Sequence, residues 1–198
     1  MSGRFILFLL ILFCSCGKAQ KREDDILSIK TLIKNYNEAY TNKDWEYVAK
    51  VLHPQVFTFF ERKEYIKSLQ ETFKREYYTL ISNELIIDSI SNILYNQSDK
   101  YAFLYLSTKS LLEISDKIDS TKRQKISLAI CQSLKEEFSN DFVRCNGLDK
   151  SISYIIREKC YAIFLSEEKK WFILTKDQNT EKIIDKIIPK SVRENLEY

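Results

Sequence analysis

The sequence predicts an α+β domain in which helices come first and a long-stranded antiparallel sheet follows. Apolar residues recur at helical spacing as far as Phe73, and from Leu85 onward the period changes to two. A third observation closes the sheet: the apolar runs 160–165 and 171–175 flank the charged turn Ser166-Glu167-Glu168-Lys169-Lys170.

Each element has its own signal. Ile26, Ile29, Ile33, Tyr36 and Tyr40 form the apolar stripe of a first helix over Asp25 to Tyr40. Thr41 and Asp44 stand in capping-box register before a second helix, whose face carries Trp45, Val48, Ala49 and Leu52. His53-Pro54 ends it, because the residue before a proline is pushed out of the helical region. The position also directs His53 toward the helix C-terminus rather than toward catalysis. Val56 to Phe60 reads as a short β-like run, and Tyr65, Ile66, Leu69 and Phe73 mark a third helix.

Leu85 to Tyr95 and Tyr101 to Leu112 read as strands. In the second, Tyr101, Phe103 and Tyr105 alternate with Ala102, Leu104 and Leu106, so both faces are apolar and both are expected to be covered. An insertion at about 115–151 follows. Its first half carries a helical stripe of Ile126, Ile130, Leu134 and Phe138, suited to covering the sheet's outer face, with a lid over the open end or a partner-binding helix as alternatives, and its second half, 140–150, is polar and irregular. The chain ends in a helix bearing Ile183, Ile184, Ile187 and Ile188. Pro189 interrupts it, and Ser191 and Glu194 suit a capping box for a last turn.

The N-terminus carries an export pattern. Arg4 precedes the apolar block Phe5 to Phe13, and small residues follow. Nine apolar residues fall well short of the roughly 20 needed to cross a bilayer as a helix. The run Phe13-Cys14-Ser15-Cys16-Gly17 resembles a bacterial lipoprotein signal, with Cys16 as the lipid-modified residue. Phe13 and Cys14 are larger than that pattern prefers. The alternative is simple secretion, with cleavage after Ala19. On the first reading residues 1–16 are signal and lipobox, 17–23 a short basic tether, and 24–198 a single domain. One acyl chain holds a protein only marginally, so the two or more chains of a lipoprotein anchor supply stable attachment. The implied location is the bacterial cell envelope, outside the cytoplasm.

Composition excludes more than it selects. The 198 residues carry 31 Lys and Arg against 28 Asp and Glu, dispersed along the chain, so there is no basic stripe for nucleic acid. Only three glycines occur, Gly3, Gly17 and Gly147, which excludes glycine-rich phosphate loops. His53 is the single histidine, so His-rich zinc sites are excluded; neither a metal nor a cofactor is expected. Beyond the lipobox stand Cys131, Cys145 and Cys160. A Cys131–Cys145 bond would close a loop of about 15 residues and contribute about 3 kcal/mol; Cys160 reads as a buried thiol.

The segments 33–40 (Ile-Lys-Asn-Tyr-Asn-Glu-Ala-Tyr), 43–48 (Lys-Asp-Trp-Glu-Tyr-Val) and Leu52-His53-Pro54, with the hairpin ending Lys170-Trp171-Phe172-Ile173-Leu174, resemble the nuclear-transport-factor-two-like (SnoaL-like) superfamily. The resemblance covers roughly residues 24–112 and 152–176; the insertion and the C-terminal helix depart from it. It implies a cone, with N-terminal helices packed in a curved antiparallel sheet and a pocket at the open end. Members include isomerases, dehydratases, cyclases and non-enzymatic binding domains, so fold alone does not choose the function.

Family enzymes often use Asp, His or Tyr as acid or base, which makes Tyr40, His53, Asp88, Tyr105 and Asp177 the candidates. Asp88 interrupts the apolar run Leu85-Ile86-Ile87 and either serves as an acid or base or faces solvent. Trp45 and Tyr105, with Tyr40 and Asp88, are the ligand-pocket candidates; aromatic residues at this spacing also serve as core. No recognisable catalytic set is present. The leading expectation is therefore a non-catalytic lipoprotein domain, monomer or homodimer, that binds a small molecule or an envelope protein. The alternative is a small pocket enzyme of isomerase or hydratase type using Asp88 or Tyr40. A structural subunit of an envelope assembly is a third class.

Overall fold

The computed structural model describes residues 3–72, 77–138, 143–145, 151–176 and 180–196; the side chains of 3–19, 72, 82, 137, 138, 144 and 145 fall outside the description. The order is α1 (Gly3–Thr41), α2 (Trp45–Lys50), a 3-10 turn (Pro54–Thr58), α3 (Arg62–Thr72), β1 (Tyr78–Ile90), β2 (Leu94–Asn96), β3 (Asp99–Ile114), α4 (Ser120–Phe138), β4 (Val143–Cys145), β5 (Ser151–Leu165), β6 (Lys170–Thr175), α5 (Glu181–Ile187) and α6 (Lys190–Leu196). The fold is α+β, and its antiparallel sheet curls into a half-barrel.

β3 and β5 form the spine. Their pairing runs from Lys100↔Phe164 to Glu113↔Ser151 without a register shift. β1 and β2 flank β3, while β6 and β4 flank β5. β1 carries two irregularities, between Leu80 and Ser82 and between Ile87 and Ser89. Such bulges bend a strand and increase its twist, which favours curling.

Side chains alternate between the faces of a strand, so the unbroken β3–β5 register separates two layers. On the concave face Ala102, Leu104, Leu106, Cys160 and Ala162 pack against Ile29, Leu32 and Ile33 of α1. On the convex face Tyr101, Phe103, Tyr161, Ile163 and Leu174 pack against Ile183, Ile184, Ile188, Val192 and Leu196. The expected double cover is therefore present over the first half of β3. It ends at Tyr105, which is 40% exposed, and from there burial alternates to Ile114.

Helix α4 covers the far end. Ile130, Cys131 and Leu134 pack with Leu112, Ile114, Val143 and Ile152. Leu112 and Ile114 share the parity of Leu104, so the insertion helix lies on the concave side rather than the outer one. The C-terminal helices take the outer face instead. The polar stretch 140–150 holds a short strand, β4, paired with Tyr154, Ser153 and Ile152; 139–142 and 146–150 lie outside the described residues.

Local chemistry explains the other departures. Asp44 alone caps α2, its carboxylate accepting from the Tyr47 N–H at 3.1 Å, while the Thr41 hydroxyl donates back to the Asn37 carbonyl. Lys43 takes φ 60° between α1 and α2, the left-handed place that glycine usually fills after a helix. Residues 56–60 form no strand, because Pro54 at the start of the turn fixes a φ suited to a helical turn, with His53 as cap. β1 begins at Tyr78 rather than Leu85, and the run to Tyr95 is two strands. α6 starts at Lys190 directly after Pro189, so Ser191 lies inside the helix and forms no capping box. The backbone of 17–23, read as a tether, continues α1. Among the described residues no helix is long and apolar enough to cross a membrane.

Candidate functional site

Where the exit from α2 meets β6, α3 stands off the sheet. Val51 and Leu52 pair with the edge of β6, the His53 N–H donating to the Ile173 carbonyl at 2.9 Å and the Ile173 N–H to the Val51 carbonyl at 2.9 Å. These bonds satisfy part of an open strand edge. Between this edge and α3 lies a cleft of about 520 Å³. Leu52, Val56, Ile173 and Leu174 give it an apolar floor, and Glu64, Tyr65, Ser68 and Thr175 supply polar groups. This size and mixture suit a small molecule held by apolar contact and oriented by a few polar atoms.

Tyr65 joins the cleft to a cluster of phenols on the concave face. The rings of Tyr36 and Tyr40, one turn apart on α1, lie 6.1 Å apart, and the Tyr40 ring meets Trp45 edge-on at 5.5 Å. Burial, then the neighbouring Tyr65, push the Tyr36 phenol well above its usual range. Burial, Tyr65 and Glu158 push the Tyr40 phenol up to about 12. Both phenols are therefore neutral at physiological pH and act as O–H donors rather than bases. Burial, then Glu158, also push the Cys160 thiol up, so it is not a ready nucleophile. Around this cluster the sheet is polar: Thr108 and Ser110 are buried, the Ser110 hydroxyl donates to Asn83 Oδ1 at 2.7 Å, and Asn37 Oδ1 accepts from the Leu85 N–H at 3.1 Å.

His53 is a structural residue. Its Nδ1 accepts from the Gln55 N–H at 3.4 Å, so it caps the turn that follows rather than the helix before it. Its ring lies edge-on to Phe172 at 6.0 Å. Burial lowers its pKa to about 4, against the opposing pull of Asp99 and Glu168.

The four pocket candidates divide into two pairs. Tyr40 and Trp45 lie together on the helical side, with Trp45 buried in the core. Asp88 and Tyr105 sit on the convex face. The exposed Asp88 carboxylate accepts from the Ser107 hydroxyl at 2.5 Å, and the Tyr105 ring stands edge-on to Phe103 at 5.2 Å, with Lys159 Nζ 5.6 Å from its centroid. Cys131 is disulfide-bonded and Cys160 is a free buried thiol. The side chains of Cys16 and Cys145, and the whole of Asp177, lie outside the described residues. Tyr65 and Tyr36 read as core in their helical stripes, and Glu158 lies outside any motif; the available clue is the spacing of Tyr36 and Tyr40 one turn apart on α1. Among the described residues no group of three or more His, Cys, Asp or Glu could hold a metal ion.

Compared with protein-family models and with curated proteins, the chain matches none.

Proposed function

We propose that this chain is an exported, lipid-anchored domain of the nuclear-transport-factor-two-like type that binds a small molecule without transforming it. The observation that carries the binding reading is the cleft beside β6, with its apolar floor and Tyr65 in its wall. A neutral phenol cluster favours recognition, since general-base work at neutral pH needs a group poised near that pH. The ligand class is a small, largely apolar molecule oriented by a few polar atoms. Export and attachment at Cys16 rest on the N-terminal pattern, and the Cys131–Cys145 pairing rests on the bonded state of Cys131 and the packing of Val143 against α4. No nucleic acid, cofactor or metal enters this reading.

Native mass spectrometry of the exported full chain tests the binding claim. The expected result is a retained small molecule that is lost when Ser68→Trp fills the cleft. Retention by Ser68→Trp, or an empty wild-type protein, would sink it. Separately, Cys16→Ala should move the protein from membranes to the soluble fraction while Cys14→Ala does not; a Cys16→Ala protein that stays in the membrane refutes the anchor.

A further inference from the structure

A second cleft, of about 430 Å³, lies between α1, α2 and the β5–β6 hairpin. Its charge is one-sided. Lys50, Lys169 and Lys170 line it, and its single lining carboxylate, Asp25, already has a partner. Lys100 Nζ meets Asp25 Oδ1 at 2.5 Å and the Tyr95 hydroxyl donates to Oδ2 at 3.4 Å, with the Asp25 side chain 8% exposed. Lys170 is bridged to Glu168 at 2.8 Å. Among the described residues, neither Lys50 nor Lys169 has an ion-pair partner.

Two further features distinguish this place from an ordinary lysine-bearing surface. Lys169 holds φ 53° in the hairpin turn, a left-handed place where glycine or asparagine would carry less strain. The cleft also has an aromatic wall: Tyr47, Phe164, Trp171 and Phe172 line it, with Trp171 8% exposed and 5.6 Å from Phe164 between ring centroids. Unpaired ammonium groups and aromatic surface in one cleft suit a ligand with both an anion and a ring.

We infer that this cleft is a binding site for a small molecule carrying a phosphate-like dianion and a flat apolar ring, with Lys50 and Lys169 holding the anion and the aromatic wall holding the ring. The site shares none of its lining residues with the β6 cleft beside α3 and does not rest on the function proposed for it.

Isothermal titration of the full chain with phenyl phosphate, in mild detergent, provides the test. Saturable one-to-one binding is expected, weakening as salt rises, with a loss of at least tenfold in the Lys50→Gln/Lys169→Gln variant. Both lysines are exposed, and the variant should melt at the wild-type temperature. Sedimentation with phosphatidylglycerol vesicles separates a soluble ligand from a lipid headgroup. Equal binding by wild type and variant overturns the inference. So does an absence of saturable binding, or lysine-dependent capture by vesicles without any binding of phenyl phosphate.

Discussion

The two halves of strand β3 behave differently although they belong to one continuous strand. From Tyr101 to Leu104 every side chain is buried, because α1 covers one face and α5 with α6 cover the other. From Tyr105 to Ile114 only alternate side chains are buried, because α1 at Leu106 and α4 at Leu112 and Ile114 cover the concave face while nothing among the described residues covers the convex one. The near half is a sealed scaffold. The far half is a sheet with one wet side, and the polar concave patch around Thr108 and Ser110 lies where α1 gives way to α4. Covering, rather than strand length, sets where this sheet is buried on both faces.

Neighbouring aromatics on the convex face give the sharpest way to break the comparison. Phe103→Ala, beneath α5 and α6, should cost about 3–5 kcal/mol. Tyr105→Ala, two residues on and uncovered, should cost about 1 kcal/mol or less, chiefly the edge-on contact with Phe103. Chemical denaturation of both variants measures the difference, and similar losses would mean that α5 and α6 contribute little cover.

Acidification probes the scaffold end through His53. Its folded pKa of about 4 lies below the ordinary 6.5, so over that range the unfolded chain binds the extra proton. Stability should be constant above about pH 6.5, fall by up to about 3 kcal/mol as pH drops toward 4, and level off below that for this group. As the only histidine, His53 gives a single imidazole titration in NMR, and His53→Gln should remove this part of the pH dependence. A midpoint near 6.5 in the folded protein would show that the ring is not sequestered.

Smaller effects complete the series. Asp44→Ala removes the α2 cap and should cost about 1 kcal/mol in thermal or chemical melts. Asp88→Asn, on the wet convex side, should change stability by less than about 0.5 kcal/mol. A larger loss there would mean that the convex far half is covered in solution.

How much of this was legible in the sequence follows the same division. The apolar run Tyr101-Ala102-Phe103-Leu104 announces burial on both faces, and the stripes of α1 and α4 announce their covering sides. The pattern does not say which helix takes which face: the insertion helix went to the concave side and the C-terminal helices to the outer one, a choice set by chain connectivity and sheet curl. Short-range chemistry is ambiguous in the sequence where two signals compete. Val56 to Phe60 has strand-like composition, but Pro54 and the cap from His53 start a helical turn. The candidate site was half legible. Tyr40 and Trp45 are where the helix–turn pattern places them, whereas Tyr36 and Tyr65 satisfy a core stripe equally well, and Glu158 meets them only through tertiary folding. Asp88 interrupts an apolar run, and the strand irregularity at Ile87 and Ser89 turns it outward to Ser107.

Amide hydrogen exchange read by mass spectrometry is the most direct test of the two-halves account. Peptides covering 101–106 and 160–165 should exchange only through global unfolding. Peptides covering 107–114 and 151–157 should exchange faster, through local opening of the one-sided sheet. Equal protection along the whole of β3 and β5 would contradict the account, and would mean that the far convex face is covered as completely as the near one.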